Sequence, residues 1–112
     1  YAPIADFDLL RTAYDIAKEK GIRSFTGLLK SSDMFYSEMT APGAGSWKEY
    51  GVLGVEMEAA ALYTIAAHYR RRALAICSVS DSVITGEEID AAARERSLNS
   101  MITVGLDTAI RF

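Results

Sequence analysis

The chain has 112 residues, half of them hydrophobic, and a formal net charge of −3 at pH 7. This length and composition predict about one domain with a modest core. The acidic balance gives no basic footprint for nucleic acid, and no apolar run approaches the roughly 20 residues that span a bilayer, so small ligands are the expected partners. The only cysteine, Cys77, lies in an apolar run. It predicts a buried small hydrophobe, no disulfide framework and a reducing, cytoplasmic compartment.

Residues 6–20 are predicted to form an amphipathic helix, because apolar side chains recur there at helical spacing. Asp6 or Asp8 can cap the start of this helix, and Gly21 can end it. We assign the helix to the scaffold. A strand is expected next, over residues 22–29.

The adjacent aromatics Phe35 and Tyr36 follow this strand after a polar turn. Aromatic side chains at a strand end suit stacking on a planar ligand, although an aromatic pair fits an ordinary core as well. Both interpretations are open at this point. Residues 37–46 are predicted to form an exposed loop, and residues 47–50 a short helical turn.

The stretch 51–63 carries two carboxylates at a predicted strand-to-helix junction. Residues 52–55 predict a short strand, and the Ala-rich run from Met57 predicts a helix. On an extended backbone, Glu56 and Glu58 would point into one cleft beside Met57. Because one carboxylate can accept hydrogen bonds from two neighbouring ribose hydroxyls, this arrangement favours a nucleoside or sugar site. Alternatively, both glutamates belong to a solvated first helical turn, where they suit the helix dipole.

The nearly continuous apolar run 73–79 predicts a strand that is buried on both faces of a helix-covered sheet. Such strands carry their chemistry at the carboxyl end, where Ser80 and Asp81 fall. Any functional group of this strand is therefore expected at residues 80–82.

A long helix is predicted from Thr85, which opens a T-x-x-E capping box, to Phe112, because no proline interrupts the pattern. Arg94 and Arg96 would lie about two turns into this helix, so one of them could point back towards Asp81. The expected buried stripe consists of Ala92, Leu98, Met101, Ile102, Leu106 and Ile110.

Taken together, these motifs resemble those of the hexameric bacterial-type purine nucleoside phosphorylases, almost end to end. The tract V-E-M-E-A at residues 55–59 is shared with related nucleosidases. Its joint occurrence with Ser80-Asp81, and with Arg94 thirteen positions after the aspartate (94 minus 81), is more specific. The resemblance implies an α/β fold with a nucleoside-phosphorylase-like mixed sheet covered by helices. Residues 1–112 would be the C-terminal portion of a single such domain.

The resemblance also implies a reaction. Enzymes of this family cleave the N-glycosidic bond of purine ribo- or deoxyribonucleosides with inorganic phosphate, which gives the free base and the pentose 1-phosphate in purine salvage. They are pentosyltransferases that use no metal and no organic cofactor, since phosphate is a co-substrate. The implied partners are the nucleoside, phosphate and further copies of the chain in a homo-oligomer, expected to be a hexamer built as a trimer of dimers, with no nucleic acid and no membrane.

Site roles follow from the same resemblance. Asp81 would protonate purine N7 with Arg94 as its helper, which relieves the negative charge that builds on the leaving base. The substrate-binding residues would be Glu58 on the ribose hydroxyls, Met57 on the sugar, Tyr36 near the sugar, Phe35 stacked on the purine, Ser80 beside the base, and Val55 and Glu56 lining the base side.

The chain begins at Tyr1 without an initiator methionine and is expected to be cut from something longer. By resemblance, the phosphate loop, the phosphate-binding arginines and the residues lent by a neighbouring subunit belong to a missing N-terminal half. The chain alone is therefore expected to be an incomplete enzyme. Two alternatives remain: a nucleosidase of the same fold that uses water, and a non-catalytic nucleoside-binding or assembly fragment. The tract 85–88 and Arg94 favour the phosphorylase.

Overall fold

A computed structural model describes residues 1–34, 46–80 and 90–112 of the chain. Within these ranges it contains helices and a parallel pair of strands, which confirms the α/β class. The 3-10 helix Ser46–Tyr50 confirms the helical turn predicted over residues 47–50, and the strand Val52–Glu56 confirms the one predicted over residues 52–55. The elements in chain order are α1 (Phe7–Glu19), β1 (Leu28–Ser31), a 3-10 helix (Ser46–Tyr50), β2 (Val52–Glu56), α2 (Ala59–His68) and α3 (Ala91–Ala109).

Helix α1 is the predicted amphipathic helix. Of the two candidate caps, Asp6 is the one used, since its carboxylate accepts a hydrogen bond from the Leu9 N–H at 2.9 Å. Gly21 follows the helix with φ +65°, the left-handed conformation that commonly ends a helix. The buried residues of α1 lie on one face and are Ala13, Ile16 and Ala17.

Strands β1 and β2 run parallel, and Ser31 at the end of β1 pairs with Glu56 at the end of β2. The strand predicted over residues 22–29 is correct only at its end, because pairing with β2 begins at Leu28 and continues to Ser31. Gly27 lies directly before the sheet, where a Cβ would come within 2.8 Å of Leu53 Cδ1. A glycine there lets the chain pass close to the side chain of Leu53.

Helices α1 and α3 pack against each other and form the core. Near their C-terminal ends they are joined by an ion pair between Lys20 Nζ and Asp107 Oδ2 at 3.0 Å. The core is small because most of its side chains are small, and burying few methylene groups limits the hydrophobic contribution to stability. The buried cluster is Ala13, Ile16, Ala17 and Val104, and the partly buried residues packed on it are Ile22, Leu74 and Ile76.

The segment 73–79 crosses between the helices without forming the strand predicted for it. A strand needs a neighbour that takes up its backbone hydrogen bonds, and in the described ranges two backbone groups of this segment bind other elements. The Ala73 carbonyl accepts from the Asp6 N–H at 2.9 Å, and the Ala75 N–H donates to the Tyr63 hydroxyl at 2.9 Å. The segment thereby links α1 to α2.

Helix α3 begins later than predicted. Its N-cap is Asp90, whose carboxylate accepts from the Ala93 N–H at 2.7 Å, so the described helix starts at Ala91 and not at Thr85. The predicted capping box lies outside the described residues. Helix α3 has 19 residues, and no helix of the described ranges is both long enough and apolar enough to cross a membrane.

The buried face of α3 also differs from the predicted stripe. Val104 and Thr108 are buried, whereas Leu106 and Ile110 are 62% and 81% exposed. Helix α1 presents alanines at this contact, so the two helices approach through smaller side chains while the larger apolar ones of α3 lie beside the contact. Apolarity alone does not decide which face of α3 is buried, because the size of the side chains at the helix contact also matters.

Candidate functional site

The carboxylate of Glu56 binds the start of α2 from the end of β2. Its Oε2 accepts hydrogen bonds from the backbone N–H groups of Glu58 and Ala59, both at 2.6 Å. Its Oε1 accepts a hydrogen bond from the Ser31 hydroxyl. The first N–H groups of a helix have no acceptor within the helix. Glu56 therefore does the work of a cap residue, although it belongs to a strand.

Ser31 connects all three elements at this junction. Its hydroxyl donates to Glu56 on β2 and accepts from the Ala60 N–H of α2 at 2.9 Å. Ser31 itself is the last residue of β1 and pairs with Glu56 in the sheet. One hydroxyl thus fixes the end of the strand pair to the first turn of the helix.

The pKa of the Glu56 carboxyl lies below its ordinary value of 4.5. Desolvation by burial is the largest single influence and raises the pKa, but the hydrogen bonds from Ser31 and from the backbone N–H groups of residues 57–59 together outweigh it. Glu56 is therefore ionised at neutral pH, and its negative charge faces the positive end of the α2 dipole.

Glu58 has a different environment from Glu56. It is the N-cap residue of α2, with φ −128° and ψ −22°, but its side chain makes no cap hydrogen bond and is exposed. The chain bends at residues 57–58, so the extended backbone that would place both carboxylates on one face is absent. Of the two carboxylates at the junction, Glu58 is the one left open to a ligand. Burial therefore does not force it to find a partner.

Val55 and Met57 flank these two carboxylates and are 39% and 41% exposed. Partly exposed apolar side chains next in sequence to an exposed carboxylate offer both apolar and anionic surface. Such a surface suits a ligand with a hydrophobic face and a pair of hydroxyl donors.

Cys77, in the segment 73–80, lies close enough to this junction for the charges of the two glutamates to act on its thiol. The pKa of the Cys77 thiol is raised by desolvation and further by the negative charges of Glu56 and Glu58. Cys77 is nevertheless exposed, so the prediction of a fully buried cysteine is wrong. Ser80, three residues further on, is exposed at the end of this described range.

Arg94 is the fourth residue of α3 and is exposed. Because the helix starts at Ala91, Arg94 lies in its first turn and not two turns in. The segment 73–80 is tied to the same helix by the Ser78 hydroxyl, which donates to the Ser97 carbonyl at 3.1 Å. This hydrogen bond joins the segment that leads to Asp81 to the helix that carries Arg94.

Three predicted site residues, Phe35, Tyr36 and Asp81, lie outside the described residues. The described ones fall into two groups, with Val55, Glu56, Met57 and Glu58 at the β2–α2 junction and Ser80 and Arg94 on the neighbouring elements. In the part of the chain that the structure describes, no three histidine, cysteine or acidic side chains come together as metal ligands would.

Comparison with known families identifies the fold family of the chain. The family model described as the phosphorylase superfamily matches residues 1–108. The chain belongs to the phosphorylase superfamily. The predicted resemblance to nucleoside phosphorylases is thereby confirmed at the level of the family. Individual relatives narrow the comparison to one kind of phosphorylase.

Among members of the phosphorylase superfamily, the chain is 52% identical to the purine nucleoside phosphorylase DeoD-type of Geobacillus sp. (strain WCH70) over 111 residues. This match covers 99% of the chain and 46% of the relative. The protein of the same name from Listeria welshimeri is 50% identical, with 99% and 47% covered. The chain thus spans about half the length of the curated relatives that it matches.

A solved structure of the phosphorylase superfamily has the same fold. It is described as the P. knowlesi homologue of P. falciparum PNP, and it superposes with a TM-score of 0.81 at 25% sequence identity. The superposition covers 99% of the chain and 44% of that structure. The predicted nucleoside-phosphorylase-like α/β fold is therefore confirmed.

Sequence reasoning missed Ser31, which makes two of the hydrogen bonds at the junction. Its contact with Glu56 joins residues 25 positions apart. The available signal was a serine at the predicted end of one strand and a glutamate at the end of another. That signal identifies a contact only once the pairing of the strands is known.

Proposed function

We propose that the protein to which this chain contributes cleaves the N-glycosidic bond of purine nucleosides with inorganic phosphate, releasing the base and the pentose 1-phosphate. The observation that carries the proposal is the identity of about half, over 99% of the chain, with proteins named purine nucleoside phosphorylase DeoD-type. The names of these relatives favour phosphorolysis over hydrolysis by a nucleosidase.

The β2–α2 junction supports the sugar-binding part of this proposal. Glu58 has an exposed carboxylate, whereas the carboxylate of Glu56 is occupied by hydrogen bonds from Ser31 and the start of α2. We assign the two ribose hydroxyls to Glu58, because an ionised carboxylate accepts two neighbouring donors well. Met57 packs against the sugar in this arrangement, and Val55 and Glu56 line the base side.

The chemical step in this proposal belongs to Asp81 and Arg94. As the glycosidic bond stretches, the sugar becomes oxocarbenium-like and negative charge builds on the purine, so a proton delivered to N7 makes the base a better leaving group. Asp81 gives that proton. Since a nearby cation lowers a carboxyl pKa, Arg94 helps only if it approaches Asp81 as the proton leaves. Arg94 lies in the first turn of α3, the helix whose Ser97 carbonyl accepts the hydrogen bond of Ser78 from the segment before Asp81.

The remaining parts of the proposal concern the rest of the site and the assembly. The purine stacks on Phe35, with Tyr36 near the sugar and Ser80 beside the base. The chain supplies the base and ribose side of the site as the C-terminal portion of one domain, and the rest of the protein supplies the phosphate side. The protein needs no cofactor, acts in the cytoplasm and assembles as a homo-oligomer, with a hexamer as the expected state.

The test is release of purine base from inosine and adenosine by this chain, with and without a supplied N-terminal half and with and without phosphate. Base release that requires both halves and phosphate, with ribose 1-phosphate as the second product, is the expected result. Equal release without phosphate would identify a nucleosidase instead. Binding of inosine with no cleavage under any condition would identify a non-catalytic fragment.

A matched pair of variants tests the assignment of Glu58. Glu58→Gln keeps the size of the side chain and removes its charge, and we expect about a tenfold or greater loss of kcat/KM for inosine, since a hydrogen bond to a charged group contributes about 1.5–3 kcal/mol. Glu95→Gln makes the same change on the exposed surface of α3. Equal losses in the two variants would exclude a specific role for Glu58.

A further inference from the structure

We propose that Ser31 is a positioning residue for the nucleoside: it holds the Glu56 carboxylate against the start of α2 and so sets the place of Glu58. This inference rests on the proposed function, in which Glu58 binds the ribose hydroxyls. Ser31 touches no substrate in it and acts through its neighbours.

The Ser31 hydroxyl uses both its donor and its acceptor capacity at the junction. A hydroxyl has one donor and two acceptor positions. Ser31 gives its donor to Glu56 Oε1 and accepts from the Ala60 N–H at 2.9 Å. Ser31 is only partly exposed. It is therefore committed to the junction on both its donor and its acceptor side.

Glu56 passes this constraint on to Glu58 through its second carboxylate oxygen. With Oε1 held by Ser31, Oε2 is directed at the N–H groups of Glu58 and Ala59, at 2.6 Å from each. The backbone of Glu58 is thus bound directly to the carboxylate that Ser31 orients. Hydrogen bonds to a charged acceptor are roughly twice as strong as neutral ones, so the constraint on the Glu58 backbone is strong.

The constraint on the Glu58 backbone affects nucleoside binding through the Glu58 side chain. The side chain of Glu58 is exposed and makes no cap hydrogen bond, so the backbone sets the point from which it extends. A hydrogen bond to a substrate hydroxyl weakens when its acceptor is displaced from the productive position. Loss of the Ser31 hydroxyl frees one oxygen of Glu56 and loosens the turn that carries Glu58. The result is a weaker hold on the ribose hydroxyls, whereas Asp81 and Arg94, which act on the base, do not depend on this contact.

The experiment compares Ser31→Ala, Ser31→Thr and Ser32→Ala in the full-length protein with phosphate. Threonine keeps the hydroxyl. Ser32 is the matched control because, among the described residues, its hydroxyl bonds the Met34 backbone, at 3.2 and 3.3 Å, and not the junction. We expect Ser31→Ala to lower kcat/KM for inosine about tenfold, mainly through KM, and Ser31→Thr to restore most of the loss. Ser32→Ala should stay within about twofold of the wild type.

Two further measurements separate positioning from a general loss of structure. Binding of 2′,3′-dideoxyinosine, which lacks the hydroxyls that Glu58 accepts, should change by less than about twofold in Ser31→Ala. In a Glu58→Gln background, Ser31→Ala should add little further loss, because the group that it positions is already impaired.

The outcomes distinguish this inference from the proposed function. An active wild type whose Ser31→Ala variant loses inosine and dideoxyinosine binding equally, or is not rescued by threonine, overturns the positioning role alone. A wild type that neither binds nor cleaves inosine overturns the proposed function and this inference with it. A loss confined to substrates with ribose hydroxyls supports both.

Discussion

The β2–α2 junction and the α1–α3 layer are held together by different interactions. At the junction, one carboxylate and one hydroxyl take up the N–H groups of residues 58–60. In the layer, a buried cluster of four residues carries the contact, and only Ile16 and Val104 among them are larger than alanine. The junction depends on the direction of its polar groups, whereas the layer depends on the apolar area that it removes from water.

This difference predicts that stability and ligand binding can be changed separately. A core substitution removes buried area without altering the direction of any group at the junction, so it should lower the free energy of unfolding and leave binding by the folded molecules intact. A substitution at the junction alters the direction of Glu58 and should affect binding more than its effect on stability would suggest.

The largest effect on stability is expected from Ile16→Ala, because Ile16 is the most deeply buried large side chain of the described residues, at 1% exposure. We expect the free energy of unfolding to fall by about 2–5 kcal/mol, measured by urea denaturation. Ile102→Ala is the matched control, since Ile102 is 50% exposed on α3. A control that costs as much as Ile16→Ala would contradict the placement of the core.

A smaller loss is expected from Glu56→Ala, which leaves the Ser31 hydroxyl and the N–H groups of Glu58 and Ala59 without their acceptor. Because water can replace part of this interaction, we expect a loss of about 1–3 kcal/mol in the free energy of unfolding. Hydrogen exchange should show faster exchange at the start of α2 before other helices are affected. Uniformly faster exchange throughout the protein would argue against a local cap.

Asp90→Ala should have an effect of about 1 kcal/mol, since it removes a local cap that makes one side-chain hydrogen bond, to the Ala93 N–H at 2.7 Å. Asp90→Asn or Asp90→Ser should recover most of the loss, because both keep a capping oxygen. Denaturation curves of the three variants measure this directly. An Asp90→Ala variant as stable as the wild type would show that α3 starts elsewhere.

The smallest expected effect is the change in the free energy of unfolding as the pH falls, through the Glu56 carboxyl. The folded pKa of Glu56 is below its ordinary value of 4.5, so the folded state binds the proton more weakly than the unfolded state does. The contribution of Glu56 is therefore fully present above pH 4.5 and is lost as the pH falls through the folded pKa. Denaturation at a series of pH values should show a shallower acid slope in Glu56→Gln than in the wild type. Equal slopes would mean that Glu56 is not the group responsible.

Local features of the sequence predicted the elements that depend on local interactions. The spacing of apolar residues gave α1 within a residue or two, and Asp6 and Gly21 act at its ends as expected. The failures concern elements that depend on distant partners. The run 73–79 has the composition of a buried strand, but two of its backbone groups bind the N-cap residue of α1 and a side chain of α2 in the described ranges. Composition alone could not reveal those partners.

The candidate site was predictable to a similar extent. Residue type and position singled out Glu56 and Glu58, but their shared face was inferred from an extended backbone, and the chain bends at residues 57–58. The division of roles, in which one carboxylate binds the protein and the other stays open, depends on Ser31. That contact follows from the pairing of β1 with β2, which no local pattern encodes.

The pairing of Ser31 with Glu56 has a consequence for how the chain folds. If β1 slipped by one residue along β2, Lys30 or Ser32 would stand opposite Glu56, and every side chain of β1 would turn to the other face of the sheet. Helix α2 would then start without the Ser31 hydroxyl, which holds the Glu56 carboxylate against its first N–H groups. Correct alignment of the two parallel strands and initiation of the helix therefore depend on each other, because a misaligned pair leaves the start of the helix without its cap.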